Sequence, residues 1–429
     1  MNEKKNLPRT FRKLSPPERR NAVRALIGSD IDLLDEDPAA YNEYADIMVE
    51  NSTGIMGVPL GIAPGFLINN ESYDVPMATE EPSVIAAAAY GAAVVASSGG
   101  FTAEATDPVA AAQIFFPETG RFDLAGWIHG HWDRIEERIR KETESLANRG
   151  GGLKGYGVSI LKAAKVLKLD FEIDVRDAMG ANRLNTTAEN IAAYIVGETG
   201  IDAVMSILTN SSKNKTAKAS FSLPVGKLSR LQGKSRSGNE TAEKIVLANR
   251  IAEEDPDRAV THNKGIMNGV SALALATGND TRAVESAVHA WASRNGRYSA
   301  LTGYRLRNGR LEGELTLPTP FATVGGSVGF HPTAQRALSL LGVTDAKTLS
   351  CVAASLGLAQ NFAALLALTG TGIQKGHMAL HARKTAFTAG ARGNEIDIVA
   401  SMLRANNTYG AESAESYLES VRAKRRKER

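Results

Sequence analysis

VLKLDFEIDVRDAMGAN, Val166 to Asn182, is the stretch whose reading decides the fold. Leu167, Leu169, Phe171, Ile173 and Val175 alternate with Lys168, Asp170, Glu172 and Asp174. Neighbouring side chains of an extended chain point to opposite faces, so this period of two predicts an antiparallel strand with one buried face and one wet face. The strand runs into the polar turn Asp177-Ala178-Met179-Gly180-Ala181-Asn182. On its N-terminal side, AAQIFF and Val158 to Ala163 read as strands, and Asp133 to Asn148 reads as a charged surface helix ending at Gly150-Gly151-Gly152. On its C-terminal side, Thr186 and Glu189 stand at capping-box spacing ahead of NIAAYIVGETG, and AVMSILT supplies a last strand. The order β-α-β-β-α-β is that of a ferredoxin-like split βαβ unit. The predicted class is therefore α+β. A ferredoxin-like small domain, residues 108–210, is inserted into a large mixed α/β domain made of 1–107 and 211–371. A C-terminal helical flap, 372–429, follows a break near Gly370.

The 429 residues carry 50 basic and 47 acidic side chains, a net charge of +3. That balance argues against nucleic acid or a membrane surface as the main partner. Only the tail Arg422 to Arg429, RAKRRKER, concentrates one sign, and a solvated helix end suits it as well as a nucleic-acid contact. The single cysteine, Cys351, lies in the apolar run LSCVAASLGLA, cannot form an internal disulfide and reads as core in a reducing compartment. The amino terminus has no apolar run of signal-peptide length, and the expectation is a cytoplasmic protein without a membrane span.

Candidate chemistry gathers in RAVTHNKGIMNGVSALALATGNDTR, Arg258 to Arg282. Lys264 and Asp280 flank the apolar segment Val270 to Ala276, so both charges are expected at the ends of buried structure. Gly265, Gly269 and Gly278 allow close approach, and Asn263, Asn268 and Asn279 offer directional hydrogen bonds. Either a polar ligand is held there or a buried Lys–Asp pair sits among turn glycines. In Glu80-Glu81-Pro82-Ser83, proline suits the first position of a helix and puts Glu81 at its N-cap, as a cap or as a proton donor partnered by Lys264. Asp280 precedes TRAVESAVHAWASRN and reads equally as an N-cap. A GxGxxG fingerprint is absent, but the Asp177 turn ahead of a helix can receive a phosphate-bearing cofactor, with Asn182 and Asn185 as donors, or can simply close a hairpin. His377 and His381 in KGHMALH share a helix face without the glutamate of HExxH, so no metal is assigned. No chemistry is assigned to His129 and His131. Asn308-Gly309 predicts a tight hairpin turn, and the glycine-rich VGGSVGFHP follows it.

The segments ENSTG, PMATEEPSVIAAA, DVRDAMGAN, VTHNKGIMNG, ATGNDTRAVE, GLAQN and KGHMALHARK resemble, in order and over almost the whole chain, those of the bacterial and archaeal class II 3-hydroxy-3-methylglutaryl-coenzyme A (HMG-CoA) reductases. The resemblance implies a four-electron interconversion of HMG-CoA with mevalonate and coenzyme A, through a thiohemiacetal and an aldehyde, using two nicotinamide cofactors. It implies that a desolvated Lys264 stabilises the oxyanion, that Asp280 holds Lys264, that Glu81 supplies or relays a proton, and that His377 protonates the departing thiolate. His381 matches the motif without a role. Ser83, Arg258, Asn268 and Asn210 are implied around the HMG group, Arg12 at the coenzyme A phosphates, and Gln360 in the substrate-side GLAQN segment. Asp177, Met179, Gly180 and Asn182 are implied at the cofactor. It further implies a homodimer, or an oligomer of dimers, with active sites at an interface to which Glu50 to Gly54 contribute, and a mobile flap from about residue 372. Cofactor choice falls on Glu142 or Thr143, and an acidic group there favours NADH over NADPH. A catalytically silent coenzyme A-binding relative would not be expected to keep Glu81, Lys264, Asp280 and His377.

Overall fold

The computed structural model describes residues 6–8, 10–29, 31, 38–118, 120, 122–231, 237–370 and 373–427, with side chains described except at 38–42, 230–231, 373–380 and 425–427. Among the described residues, ten strands form three sheets. β1 (Leu60–Ile68) and β2 (Glu71–Ala78) make a two-stranded ribbon; β3 (Thr102–Ala105), β8 (Thr216–Pro224), β10 (Arg310–Pro318) and β9 (Thr302–Arg307) lie in that order in a second, antiparallel sheet. The third has the order β5 (Gly152–Leu161), β6 (Val166–Asp174), β4 (Val109–Pro117), β7 (Met205–Thr209). Every pairing in it is antiparallel. That strand order is the split βαβ arrangement.

β6 behaves as its alternation predicts, with Leu167, Leu169, Phe171 and Ile173 buried and Lys168, Asp170 and Glu172 half-buried. The buried row meets Ile135 and Ile139 of the Trp132–Glu142 helix and Leu184, Ile191 and Ile195 of the Ala181–Thr199 helix in a core of its own. Two expectations fail here. The helix read across 133–148 stops at Thr143, which is fully buried and donates its hydroxyl to the Ile139 carbonyl (2.7 Å), and only the short turn Glu144–Ala147 continues. Thr186 and Glu189 cap nothing, because Gly180 at φ 82° swings the chain from the turn straight into a helix that begins at Ala181. A side chain at Gly180 would also collide with Val175, so glycine is required there on two counts.

The rest of the chain surrounds the Ala346–Thr369 helix, whose N-cap Asp345 accepts from Thr348 N (2.8 Å). It packs against the Pro256–Ala276 and Val84–Ala96 helices and the sheet containing β8. At Gly91 the second crossing is so close that a Cβ would strike the Ala359 carbonyl. The helix is long and apolar enough to cross a membrane, yet 78% of its most apolar window is buried inside the protein. Each large side chain such as Phe362 that it buries contributes roughly 1.5–3 kcal/mol. The Asn308-Gly309 turn closes β9 onto β10 as predicted, both residues at positive φ (50° and 69°). The helices Ile373–Thr388, Asn394–Ala405 and Ala411–Lys427 form a separate small core around Ala386, Leu403 and Leu418. Arg422, first of the basic tail, is engaged there by Glu395 (2.9 Å) and the Gly390 carbonyl (3.0 Å).

Candidate active site

Asp255 caps the Pro256–Ala276 helix by accepting from Asp257 N (3.0 Å), and the helix then runs unbroken for 21 residues. Ile266, Gly269, Val270 and Leu273 face the core, with Gly269 against Leu356 and Gln360. Lys264 therefore points the other way. Its side chain is 60% exposed, and Nζ lies 3.0 Å from Glu81 Oε2, joining residues 183 apart in sequence. Glu81 stands in the turn ahead of the Val84–Ala96 helix, not at its N-cap. Ser83 is the N-cap, in a left-handed conformation (φ 76°) that costs a non-glycine residue about 1–3 kcal/mol. That strain aims the turn at the lysine-bearing helix.

The expectation of a desolvated Lys264 held by Asp280 is corrected. Gly278 (φ 68°) turns the chain, and Asp280 spends its carboxylate on the next helix, accepting from Arg282 N (2.9 Å) and Ala283 N (3.1 Å), with Arg282 Nε at 3.3 Å. Among the described residues no ion pair joins Asp280 to Lys264. First-turn amides are oriented and local, so they capture the carboxylate first.

Buried polar contacts set the rotation of this helix. His262 Nε2 accepts from Asn361 Nδ2 (3.0 Å) and lies 2.6 Å from Thr302 Oγ1, while Asn263 bridges the Ser299 carbonyl (2.9 Å) and Leu301 N (3.1 Å). Burial, reinforced by Arg258, pushes the His262 imidazole down to about 3, so it is neutral. Asn268 lies one turn beyond Lys264, and Arg258, half-buried, lies on the same helix nearer its start. Ser83 adjoins Glu81 through Pro82. Gln360 is 5% exposed, and its Oε1 has no partner among the described residues. Asn210 is exposed after β7. Arg12 is exposed next to Phe11, which packs on Leu340. The helix carrying His377 is formed, and the His377 side chain lies outside the described residues. Burial raises the Cys351 thiol to about 11, which removes it as a nucleophile. His131 stacks on Trp127 and bonds its carbonyl (2.9 Å), a structural use.

The second half of the site is the turn at Asp177. The Asp177 carbonyl accepts from Thr323 N (2.9 Å) and Val324 N (3.3 Å), and Oδ1 accepts from Ala346 N (2.9 Å). The first two bonds fasten the turn to the start of VGGSVGF, the glycine-rich segment that the sequence left without a role, and the third ties it to the Ala346–Thr369 helix. In the glycine-rich segment Gly325 and Gly326 have φ of 79° and 53°, backbone that glycine adopts without strain, and the space beside each is open. Beside it a cavity of about 590 Å³ is lined by Thr323, Val324, Gly325, Gly329 and Leu338. The Ala181–Thr199 helix starts at Gly180 without a side-chain cap, so its first amides are open to an anion. The turn thus fits a phosphate-bearing dinucleotide. Met179 is half-buried and Asn182 exposed in that first turn; the Asn185 carboxamide oxygen is taken by Leu208 N (2.8 Å). Of the two candidates for cofactor choice, Thr143 is sealed in the core and Glu142 is half-buried. The Glu142 Oε1 accepts from Asn190 (2.9 Å), and its carbonyl accepts from Arg183 (3.3 Å).

Comparison with known proteins adds an independent line. The profile of the family Hydroxymethylglutaryl-coenzyme A reductase matches residues 15–382. The 3-hydroxy-3-methylglutaryl-coenzyme A reductase of Archaeoglobus fulgidus is 40% identical over 427 residues, covering 96% of this chain and 94% of that one. A probable enzyme of the same name from Borreliella burgdorferi is 36% identical over 88% of this chain and 86% of its own. A solved reductase from Streptococcus pneumoniae superposes with a TM-score of 0.77 at 37% identity, covering 96% of this chain and 99% of the other. A class II reductase from the same organism, bound to NADPH in open conformations, gives a TM-score of 0.75 at 38% identity, covering 95% and 100%.

Proposed function

The chain belongs to the hydroxymethylglutaryl-coenzyme A reductase family, and from that premise we propose that Glu81, Lys264, Asp280 and His377 are its catalytic groups. It is a class II enzyme, an NAD(P)H-dependent oxidoreductase that reduces HMG-CoA to mevalonate. The balanced reaction takes the thioester, two reduced cofactors and two protons to mevalonate, coenzyme A thiol and two oxidised cofactors. The nicotinamide supplies the hydride when bound. The observation that carries the residue assignment is the Lys264–Glu81 pair at 3.0 Å, an ammonium and a carboxyl brought together from positions 183 residues apart.

Lys264 places a fixed positive charge where a carbonyl oxygen gains electron density, first in the thiohemiacetal and again in the mevaldehyde. Glu81, bonded to that ammonium, is placed to pass a proton to the same oxygen. Asp280 fixes the start of the next helix and adds negative charge to the neighbourhood. His377 protonates the departing thiolate, a task for a group that exchanges protons near neutral pH. Ser83, Arg258, Asn268 and Asn210 grip the HMG carboxylate and hydroxyl, Arg258 as a bidentate donor. Gln360 offers its unpartnered oxygen on the substrate side, and Arg12 meets coenzyme A phosphates. Asp177, Met179, Gly180 and Asn182 hold the cofactor.

We assign residues 1–107 with 211–371 to the substrate-binding domain, 108–210 to the cofactor-binding domain, and 372–429 to a flap that closes over the site. Separate buried clusters support the division. A homodimer is supported by exposed apolar side chains at Ile47, Val49, Ile55 and Met56, around Glu50 to Gly54, and at Leu247, Ile251 and Val260. A second chain over this surface would also remove water from Lys264. NADH is the preferred cofactor in this reading, because the half-buried Glu142 carboxylate repels a 2′-phosphate. The single cysteine, partly buried and unpaired, supports a cytoplasmic setting.

The test is purified protein with HMG-CoA and either NADH or NADPH, followed by nicotinamide absorbance. Two cofactors are consumed per thioester. No consumption with either cofactor, from protein of native melting temperature, would end the reading.

A further inference from the structure

Lys215 lies in the connector between β7 and β8, where the chain leaves the small sheet for the large one. It is 4% exposed, and its Nζ donates to the Phe321 carbonyl (2.8 Å). Its backbone is fixed as well, with Lys215 N on the Ser212 carbonyl (3.0 Å) and Thr319 N on its own carbonyl (2.8 Å). Two residues beyond Phe321, the amides of Thr323 and Val324 hold the Asp177 carbonyl. One ammonium therefore braces, from behind, the segment on which the cofactor turn docks.

The charges around it are few. The carboxylates whose charge acts on the ammonium are Asp177 on the turn and Asp174 at the end of β6. Asp174 is itself 3.4 Å from Lys154 and 3.7 Å from Arg176, and the adjacent connector carries Asp107 paired with Lys347 (2.8 Å). Only one of the three ammonium donors has a protein acceptor among the described residues. Burying such a group costs stability that an apolar side chain of the same volume would not. A costly charge kept beside a binding turn points to function.

We propose that Lys215 is a positioning residue for the nicotinamide cofactor, its charge balanced by Asp174 and Asp177 so that the 319–324 segment and the Asp177 turn keep the register that binds the dinucleotide. The inference rests on the reading of the chain as a nicotinamide-dependent reductase. Burial lowers the Lys215 ammonium to about 8, with Asp177 and then Asp174 acting in the opposite direction. Cofactor affinity accordingly falls as pH rises through about 8.

The experiment compares full-length wild type, Lys215→Met and Lys215→Gln between pH 6.5 and 9.5. It measures steady-state kinetics, direct titration with NADH and NADPH, and melting temperature. In the wild type, cofactor KM rises with a midpoint near the Lys215 value. Lys215→Met raises cofactor KM about tenfold at neutral pH and flattens the profile, with kcat at saturation and the HMG-CoA KM within about threefold. Melting temperature is not lowered. Lys215→Gln keeps a donor for Phe321 without the charge and follows Lys215→Met. A wild-type cofactor KM in Lys215→Met, or a Gln variant indistinguishable from wild type, overturns the proposal. So does a parallel loss of melting temperature, kcat and both KM values, the pattern of a merely structural residue. A wild type that oxidises no cofactor with HMG-CoA defeats the functional reading instead, and the binding titration still decides the role of Lys215.

Discussion

Two lysines carry the same charge into opposite surroundings. Lys264, on the Pro256–Ala276 helix, is 60% exposed beside Glu81; Lys215, at the joint under the cofactor turn, is 4% exposed with one carbonyl acceptor. An exposed pair contributes only about 0–1 kcal/mol to folding. The fold does not depend on Lys264, so its place beside Glu81 is explained by what docks there. A buried ammonium is costly to the fold, so its persistence at Lys215 is explained by what it braces. In the proposed function, exposure marks the group left open to substrate, and burial marks the group proposed to brace the cofactor turn.

The sharpest break of this comparison is Lys264→Ala. It is expected to lower kcat by about 10³-fold or more, roughly 4 kcal/mol of transition-state stabilisation, with the melting temperature almost unchanged. A variant that unfolds while turning over normally would reverse the roles of the two regions. Asp280→Asn sharpens it next: the amide still caps its helix, so stability holds, while loss of the charge lowers kcat about 10²-fold. An unchanged rate would leave Asp280 as a cap only.

His262, two residues before Lys264 but facing the core, extends the contrast within one helix. Its folded value of about 3 lies below the ordinary 6.5, so the unfolded chain takes the proton first. The stability it confers is complete above pH 6.5 and drains away as pH falls toward 3, by about 2 kcal/mol at pH 5. Burial shifts half-buried His331 in the same direction. Urea midpoints at pH 7 and pH 5 should separate more in the wild type than in His262→Gln, and equal separations would refute the assignment. The smallest effect is expected at the rim, where Glu142→Gln should move the NADPH-to-NADH ratio of kcat/KM about fivefold toward NADPH, roughly 1 kcal/mol. A ratio that does not move would remove Glu142 from the cofactor choice.

Much of the fold was legible because its signals are local. The alternation at Leu167 to Ile173, the Asn308-Gly309 turn and the glycine at 180 each reflect backbone geometry set by near neighbours. Two helix starts were misread for the same reason. Glu81-Pro82 and Thr186/Glu189 satisfy capping rules, but Ser83 and Gly180, both at positive φ, open the helices elsewhere. Left-handed backbone at a serine is a strain imposed by packing, and no propensity announces it.

Of the site, the sequence by itself determined which residue types stand at which positions, and so the family and the chemistry within reach. Only the tertiary structure decided the partners. Lys264 meets Glu81 across 183 residues, Asp177 meets Ala346 across 169, and Lys215 meets Phe321 across 106. It also decided that Asp280 serves its own helix. Periodicity fixes where a side chain points along its own element. Which element it meets, and whether water remains between them, is fixed by how those elements close around the Ala346–Thr369 helix.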